Sequence, residues 1–179
     1  SCYTRWLIWD YILNTLRFIG LILLQVLVID NIRLGFYVHP YVYVLFIFLL
    51  PFNIQKWQLL ILGFFTGLTV DLFNGTPGLN AAATVFMSFI RPYVISSMTR
   101  RKDINANDEP SLNNMGISWF IVYTLILLIS HNFILFLLEA FSIKLLGTIL
   151  IQTLLSVFSS LMLIFIILLL FKKSNKKLI

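Results

Sequence analysis

The chain has 179 residues, 60% of them hydrophobic and 11% charged, with a formal net charge of +6 and a mean hydropathy of +0.96. A soluble domain carries about a quarter charged residues, so this composition excludes an ordinary globular protein and points to an all-α, polytopic membrane protein forming one integral membrane domain over 1–179. The basic residues sit at the ends of apolar runs, so the positive charge reads as membrane orientation and not as a nucleic-acid surface.

Trp6 and Trp9 place the segment before Asp10 at headgroup level. The first span is expected over about 12–29, with Arg17 near its start and Gln25 further in. Arg17 is expected to snorkel to the interface or else to pair within the bundle. No small-residue cleavage site follows this run, so it reads as a retained span and not as a signal peptide. The second apolar run reaches membrane length only as 36–52, ending at Pro51, and it is expected to tilt, or to dip in and return. The third span is expected over 57–73 and the fourth over 79–98, opened by Thr76-Pro77 or by Asn80. The polar stretch 103–116 is the one long hydrophilic loop and reads as flexible. The fifth and sixth spans are expected over 117–138 and 145–171.

Six spans place both termini on one side. That side then holds Arg5, Lys56, Arg100, Arg101, Lys102, Lys172, Lys173, Lys176 and Lys177, against Arg33 and Lys144 on the other. The asymmetry assigns the termini to the cytoplasm.

The stretch from Gly63 to Pro92 carries most of the specific information. Gly63, Gly67 and Asp71 are four residues apart and share a helical face. Small residues at that spacing admit a neighbouring membrane helix, and a carboxylate on the same stripe should face protein and not lipid. Asp71 is therefore the sharpest candidate. Its structural reading is an acceptor for the Gly75–Gly78 turn, which contains Pro77, or for a neighbouring helix; its functional reading is proton or ion transport. Arg91, before Pro92, shares a face with Asn80, Thr84 and Ser88. It lies eleven residues beyond Asn80, about 16 Å deeper, too far to neutralise Asp71. It is expected to reach the inner interface or to bond carbonyls freed by Pro92, with a partner or lipid contact as the alternative.

His39 precedes Pro40 in a connection, and His131 lies mid-span beside Ser130 and Asn132, where a hydrogen-bonded interior role is expected. Glu139 is expected at the interface. A lone cysteine, Cys2, excludes an internal disulfide and a multi-cysteine metal site. No metal-protease, nucleophile-elbow or phosphate-loop motif occurs. No catalytic residue, metal or cofactor is assigned, and the chain reads as a non-enzyme.

Several of these segments together resemble the rod shape-determining protein MreD family in its Bacteroidetes form. They are Leu24-Gln25-Val26-Leu27, Asp30-Asn31-Ile32, His39-Pro40-Tyr41, Leu50-Pro51-Phe52, and above all G-x-x-x-G-x-x-x-D, N-G-T-P-G-L-N-A-A-A and Arg91-Pro92-Tyr93. The match covers the first four spans. The resemblance implies a six-helix inner-membrane scaffold, similar in architecture to the substrate-binding components of energy-coupling-factor transporters. It also implies a single-span partner, MreC, and through it MreB and the peptidoglycan synthases. Gly63, Gly67, Asp71, Gly75, Pro77, Gly78, Asn80, Arg91 and Pro92 are then fold determinants or partner contacts. A partner helix would pack on small residues, with Phe64, Phe65 and Phe86 filling the rest. The competing readings are a small-molecule-binding transporter subunit, with a polar pocket near Asp71, Asn80 and His39, and an ion channel using Asp71, Arg91 and His131.

Overall fold

The computed structural model describes residues 2–31, 38–99, 109–141 and 145–170. Those residues form helices and irregular segments only. Helix α1 (Cys2–Leu24) continues into a π-helical turn (Gln25–Ile29), followed by α2 (Leu45–Phe48), α3 (Lys56–Asn74), α4 (Leu79–Met98), α5 (Leu112–Met115), α6 (Ile117–Ala140) and α7 (Leu146–Leu170). Five stretches are long and apolar enough to cross a membrane: Ile12–Ile29, Lys56–Asn74, Leu79–Met98, Ile117–Ala140 and Leu146–Leu170. A multi-pass membrane protein follows, because at 1.5 Å per residue each spans about 27 Å or more, close to the hydrocarbon thickness of about 30 Å. Their outward faces carry exposed Leu, Ile and Phe, as on α7 at Leu154, Phe158 and Met162.

The expected second span is not a helix. Residues 32–37 lie outside the described residues. From Val38 to Gln55 the chain is irregular except for the single turn of α2. This strap is nonetheless the longest unbroken buried run among the described residues, with Val42 through Phe48 all buried. It begins beside Asp30, Asn74 and Glu139, at the end where α1 and α3 finish and α4 starts. It ends where Phe52 meets Trp119 at the start of α6 (ring centroids 6.3 Å). The strap thus runs from one end of the bundle to the other through its middle. Pro40 and Pro51 bracket it, and each disfavours helix at the residue before it. A non-helical backbone is tolerable at membrane depth only when protein encloses it.

α3 and α4 form the tightest helix pair. At Gly67 an added Cβ would lie 2.5 Å from Ala81 Cα and 2.5 Å from the Asn80 carbonyl oxygen, and at Gly63 it would meet Ser88 Oγ. The glycine stripe therefore serves an approach within the chain, the fold-determinant role of the two expected for it. Gly75 closes α3 at φ 67° and Gly78 precedes α4 at φ 81°, left-handed conformations that favour glycine.

The hydrophilic loop is ordered where it is described. Pro110 and Met115 are buried, and the Ser111 side chain caps α5 by accepting from Asn114 N–H; 101–108 lie outside the described residues. Arg17 pairs with Glu109 at 2.9 Å, tying α1 to this loop; both side chains are partly exposed, so the pair sits at the edge of the bundle and not within it.

Candidate functional site

A set of buried polar side chains converges on the strap. An irregular backbone leaves N–H and C=O groups without helical partners, and each is costly to bury unpaired. Side chains from four helical elements supply the missing partners.

Gln25 does so from the π-helical turn. Its Oε1 accepts from Val42 N–H at 2.7 Å and Tyr43 N–H at 3.4 Å, while its Nε2 donates to the Pro40 carbonyl at 3.0 Å and to Asp30 Oδ1 at 2.6 Å. One amide thus fastens the strap entrance at Pro40, Val42 and Tyr43. From α7, Ser156 and Ser160 accept from the N–H groups of His39 (3.0 Å) and Tyr41 (2.8 Å). The two serines are four residues apart, matching strap residues that are two apart in extended backbone.

At the other end Arg91 holds the strap from α4. It is 1% exposed. Its Nη2 donates to the carbonyls of Leu50 and Phe48, and its Nε donates to the Tyr123 hydroxyl at 2.8 Å; that hydroxyl in turn donates to the Phe48 carbonyl at 3.1 Å. The carbonyls that Arg91 bonds are those of the strap and not those freed by Pro92, which corrects the expectation from sequence. No carboxylate pairs with Arg91 among the described residues. Charge-assisted bonds to neutral carbonyls stabilise the guanidinium instead.

Asp71 organises the α3–α4 turn. Its Oδ1 accepts from Asn80 N–H (3.0 Å), from Asn80 Nδ2 (3.0 Å) and from the Thr76 hydroxyl; its Oδ2 accepts from Ala81 N–H (2.9 Å). The carboxylate of one helix therefore caps the N-terminus of the next, where free N–H groups and the helix dipole favour negative charge. Residue Gly78 occupies the cap position and Pro77 precedes it. Neither Thr76 nor Asn80 is the N-cap; both are donors to Asp71.

Asn80 also links Asp71 to the middle of the strap. The Tyr43 hydroxyl lies 3.3 Å from Asn80 Oδ1, 3.1 Å from Thr84 Oγ1 and 2.8 Å from His131 Nε2. Tyr43, Thr84 and His131 are fully buried. Asp71 and His131 are thus joined through two intermediates, and Arg91 belongs to a separate group near the opposite end. Asn132 Nδ2 donates to its own helix at Leu128, and Ser130 does the same at Ile126.

A cavity of about 300 Å³ opens at the strap entrance. Its wall includes Asp30, His39, Tyr41, Asn74, Asn80 and Glu139. The base is fixed, because both polar atoms of the Asn80 side chain are engaged by Asp71 and Tyr43. Asp30 is held by Gln25 and by Asn74 (Nδ2 to Oδ2, 3.0 Å). Glu139 and His39 are exposed at the rim. Among the described residues no group of three His, Cys, Asp or Glu side chains is arranged to hold a metal.

Several of these roles went unassigned in the sequence. Gln25 was visible as a polar residue in an apolar run, yet nothing local showed what it binds. Ser156 and Ser160 had the one readable signal, two hydroxyls on a single face of an otherwise apolar helix. Tyr43 and Tyr123 looked like any membrane tyrosine.

No protein-family model matches the chain, and neither the curated proteins nor the solved structures contain a match to it.

Proposed function

We propose that the chain is a non-catalytic scaffold of the bacterial inner membrane, of the MreD type, that holds MreC and through it couples MreB to the peptidoglycan synthases. In this reading the chain crosses the bilayer six times, by five helices and the buried strap. Both termini then lie on the cytoplasmic face, in an arrangement similar to the substrate-binding components of energy-coupling-factor transporters. The observation that carries the reading is the use made of the polar interior. Gln25, Arg91, Tyr123, Ser156 and Ser160 all bond strap backbone, and Asp71 caps α4. Asp71, Arg91 and His131, the groups on which an ion-transport reading would rely, each make hydrogen bonds within the fold. Partner recognition falls to the outside. With Gly63 and Gly67 occupied by α4, the partner helix packs on the exposed stripe Trp57, Ile61, Phe65 and Leu72 of α3, whose spacing keeps these residues on one face.

Depleting the protein from rod-shaped cells tests this. Rods are expected to round up, and MreC is expected to co-purify with the chain. Cells that stay rod-shaped, together with a chain that purifies without MreC, would sink the proposal.

The cavity at the strap entrance favours a second reading, a small-molecule-binding transporter subunit. Its volume and mixed wall suit a small polar ligand. A small molecule retained through purification and lost on Asn80→Leu would establish that reading over the scaffold.

A further inference from the structure

A second concavity lies on the outside of the α3–α4 hairpin. Its floor is made of small residues, Gly78, Ala81, Ala82 and Val85, and its walls include Phe64 and Phe89. It follows from the close approach at Gly67: where two backbones nearly touch, the side chains on either side must splay, and the small α4 residues leave the space between them open. The groove has a volume of about 740 Å³ and is almost wholly apolar.

Its two walls continue toward the Lys56 end of the bundle. Lys56, Leu60, Phe64 and Leu68 are spaced by four along α3 and share a face. Phe89 and Tyr93 continue α4 in the same direction, with rings 5.5 Å apart. Lys56 Nζ lies 5.3 Å from the Tyr93 ring centroid, so the cation closes that end of the groove. Lys56 is exposed and has no carboxylate partner among the described residues. Trp57 beside it is also exposed, the amphipathic side chain expected at headgroup level.

We propose that this groove is a specific site for an anionic phospholipid, with one acyl chain lying between α3 and α4 and the headgroup phosphate on Lys56. From Lys56 to Leu68 is twelve residues, about 18 Å of helix, close to the roughly 15 Å hydrocarbon depth of one leaflet. An acyl chain entering at the interface beside Lys56 therefore runs the length of the groove. A zwitterionic lipid offers the same phosphate but compensates it with its own ammonium, so it matches the cation less well than an anionic one. A partner helix would need an acidic residue at the depth of Lys56. The site rests on the chain lying in a bilayer and is independent of which partner the α3 stripe binds.

Native mass spectrometry of the full chain in mild detergent tests the site, using phosphatidylglycerol and phosphatidylcholine of equal chain length. The wild type is expected to hold one phosphatidylglycerol more tightly than phosphatidylcholine. Lys56→Gln is expected to cut that preference about fivefold. Ala82→Phe fills the groove and is expected to abolish the tightly held adduct of either lipid. Helix content by circular dichroism checks that each variant is folded; if Ala82→Phe is not, Lys56→Gln still decides. An unchanged preference in folded Lys56→Gln overturns the proposal. So does an adduct that survives in folded Ala82→Phe, or a co-purifying polypeptide in place of lipid that Ala82→Phe removes.

Discussion

In the α3–α4 hairpin the backbone satisfies itself through helical hydrogen bonds, and side chains serve it chiefly at helix ends, where Gln55 and Gln58 cap α3 and Asp71 caps α4. In the strap from Val38 to Gln55 the backbone has one helical turn of its own and relies on side chains from α4, α6, α7 and the π-helical turn. Both regions sit in surroundings where water cannot help, and the same requirement explains both. The hairpin meets it locally, so its specificity lies in packing. The strap meets it at long range, so its specificity lies in polar residues that would otherwise be out of place in a membrane domain.

If that contrast is right, removing a strap clamp should cost more than disturbing the hairpin. The largest effect is expected from Arg91→Ala. The Leu50 carbonyl and the Tyr123 hydroxyl each lose their Arg91 partner, and a large cavity opens beneath the strap. The expected cost is about 3–5 kcal/mol, read as a fall in the apparent unfolding midpoint in detergent. Arg91→Lys should recover part of it, since an ammonium can reach one carbonyl but cannot also hold the tyrosine in fork geometry. A midpoint unchanged in Arg91→Ala would show that the strap does not depend on this clamp.

Gln25→Leu comes next. The change keeps the volume roughly constant but leaves the Val42 N–H and the Pro40 carbonyl without partners. Each orphaned buried group costs about 1–3 kcal/mol and the buried leucine recovers part of the sum through its apolar surface, so a net loss of about 2–4 kcal/mol is expected. Hydrogen exchange sharpens the test: protection should fall at Val42 and Tyr43 and persist in α3 and α4. Uniform loss across both regions would erase the distinction drawn between them.

The hairpin responds to volume instead. Gly67→Ala places a methyl against the Ala81 and Asn80 backbone, with an expected cost of about 1–3 kcal/mol from overpacking. Gly20, in the interior of α1, has nothing within 4 Å of an added Cβ, so Gly20→Ala should stabilise by about 0.5–1 kcal/mol through helix propensity. Opposite signs at the two glycines, measured by the same thermal scan, distinguish a packing role from a conformational one.

The same contrast explains what could be read in advance. Five of the expected spans, 12–29, 57–73, 79–98, 117–138 and 145–171, lie close to the five membrane-length helical stretches because apolar length and turn chemistry are local signals. The spacing of Gly63, Gly67 and Asp71 showed that the stripe faces protein, because helical periodicity is enough for that. It could not show which protein, so a helix of the same chain and a partner helix both stayed open, and the neighbour is α4. The strap was misread for a related reason. Residues 36–52 are as apolar as a span, and hydropathy does not record whether a segment bonds to itself. Its partners lie from 15 residues away, at Gln25, to 119 residues away, at Ser160, and no local pattern contains such pairs. Arg91 showed the same limit: its depth was legible and its acceptors were not.

The smallest effect is expected at Ser160, and it separates a clamp from a packing contact most cleanly. Ser160→Ala removes one hydroxyl and opens almost no space, so packing loss is negligible and only the Tyr41 N–H loses its acceptor. That loss should cost about 1–2 kcal/mol. Alanine is the better helix former by a few tenths of a kcal/mol, a gain in α7 that offsets part of it, leaving a net loss of about 1 kcal/mol. Ser159→Ala is the matched control, since the Ser159 hydroxyl donates only to its own helix at the Ser156 carbonyl. Its removal gains the same propensity and orphans no strap group. A lowered midpoint for Ser160→Ala with an equal or raised one for Ser159→Ala is the expected pair, and equal shifts would mean that α7 holds the strap by contact alone.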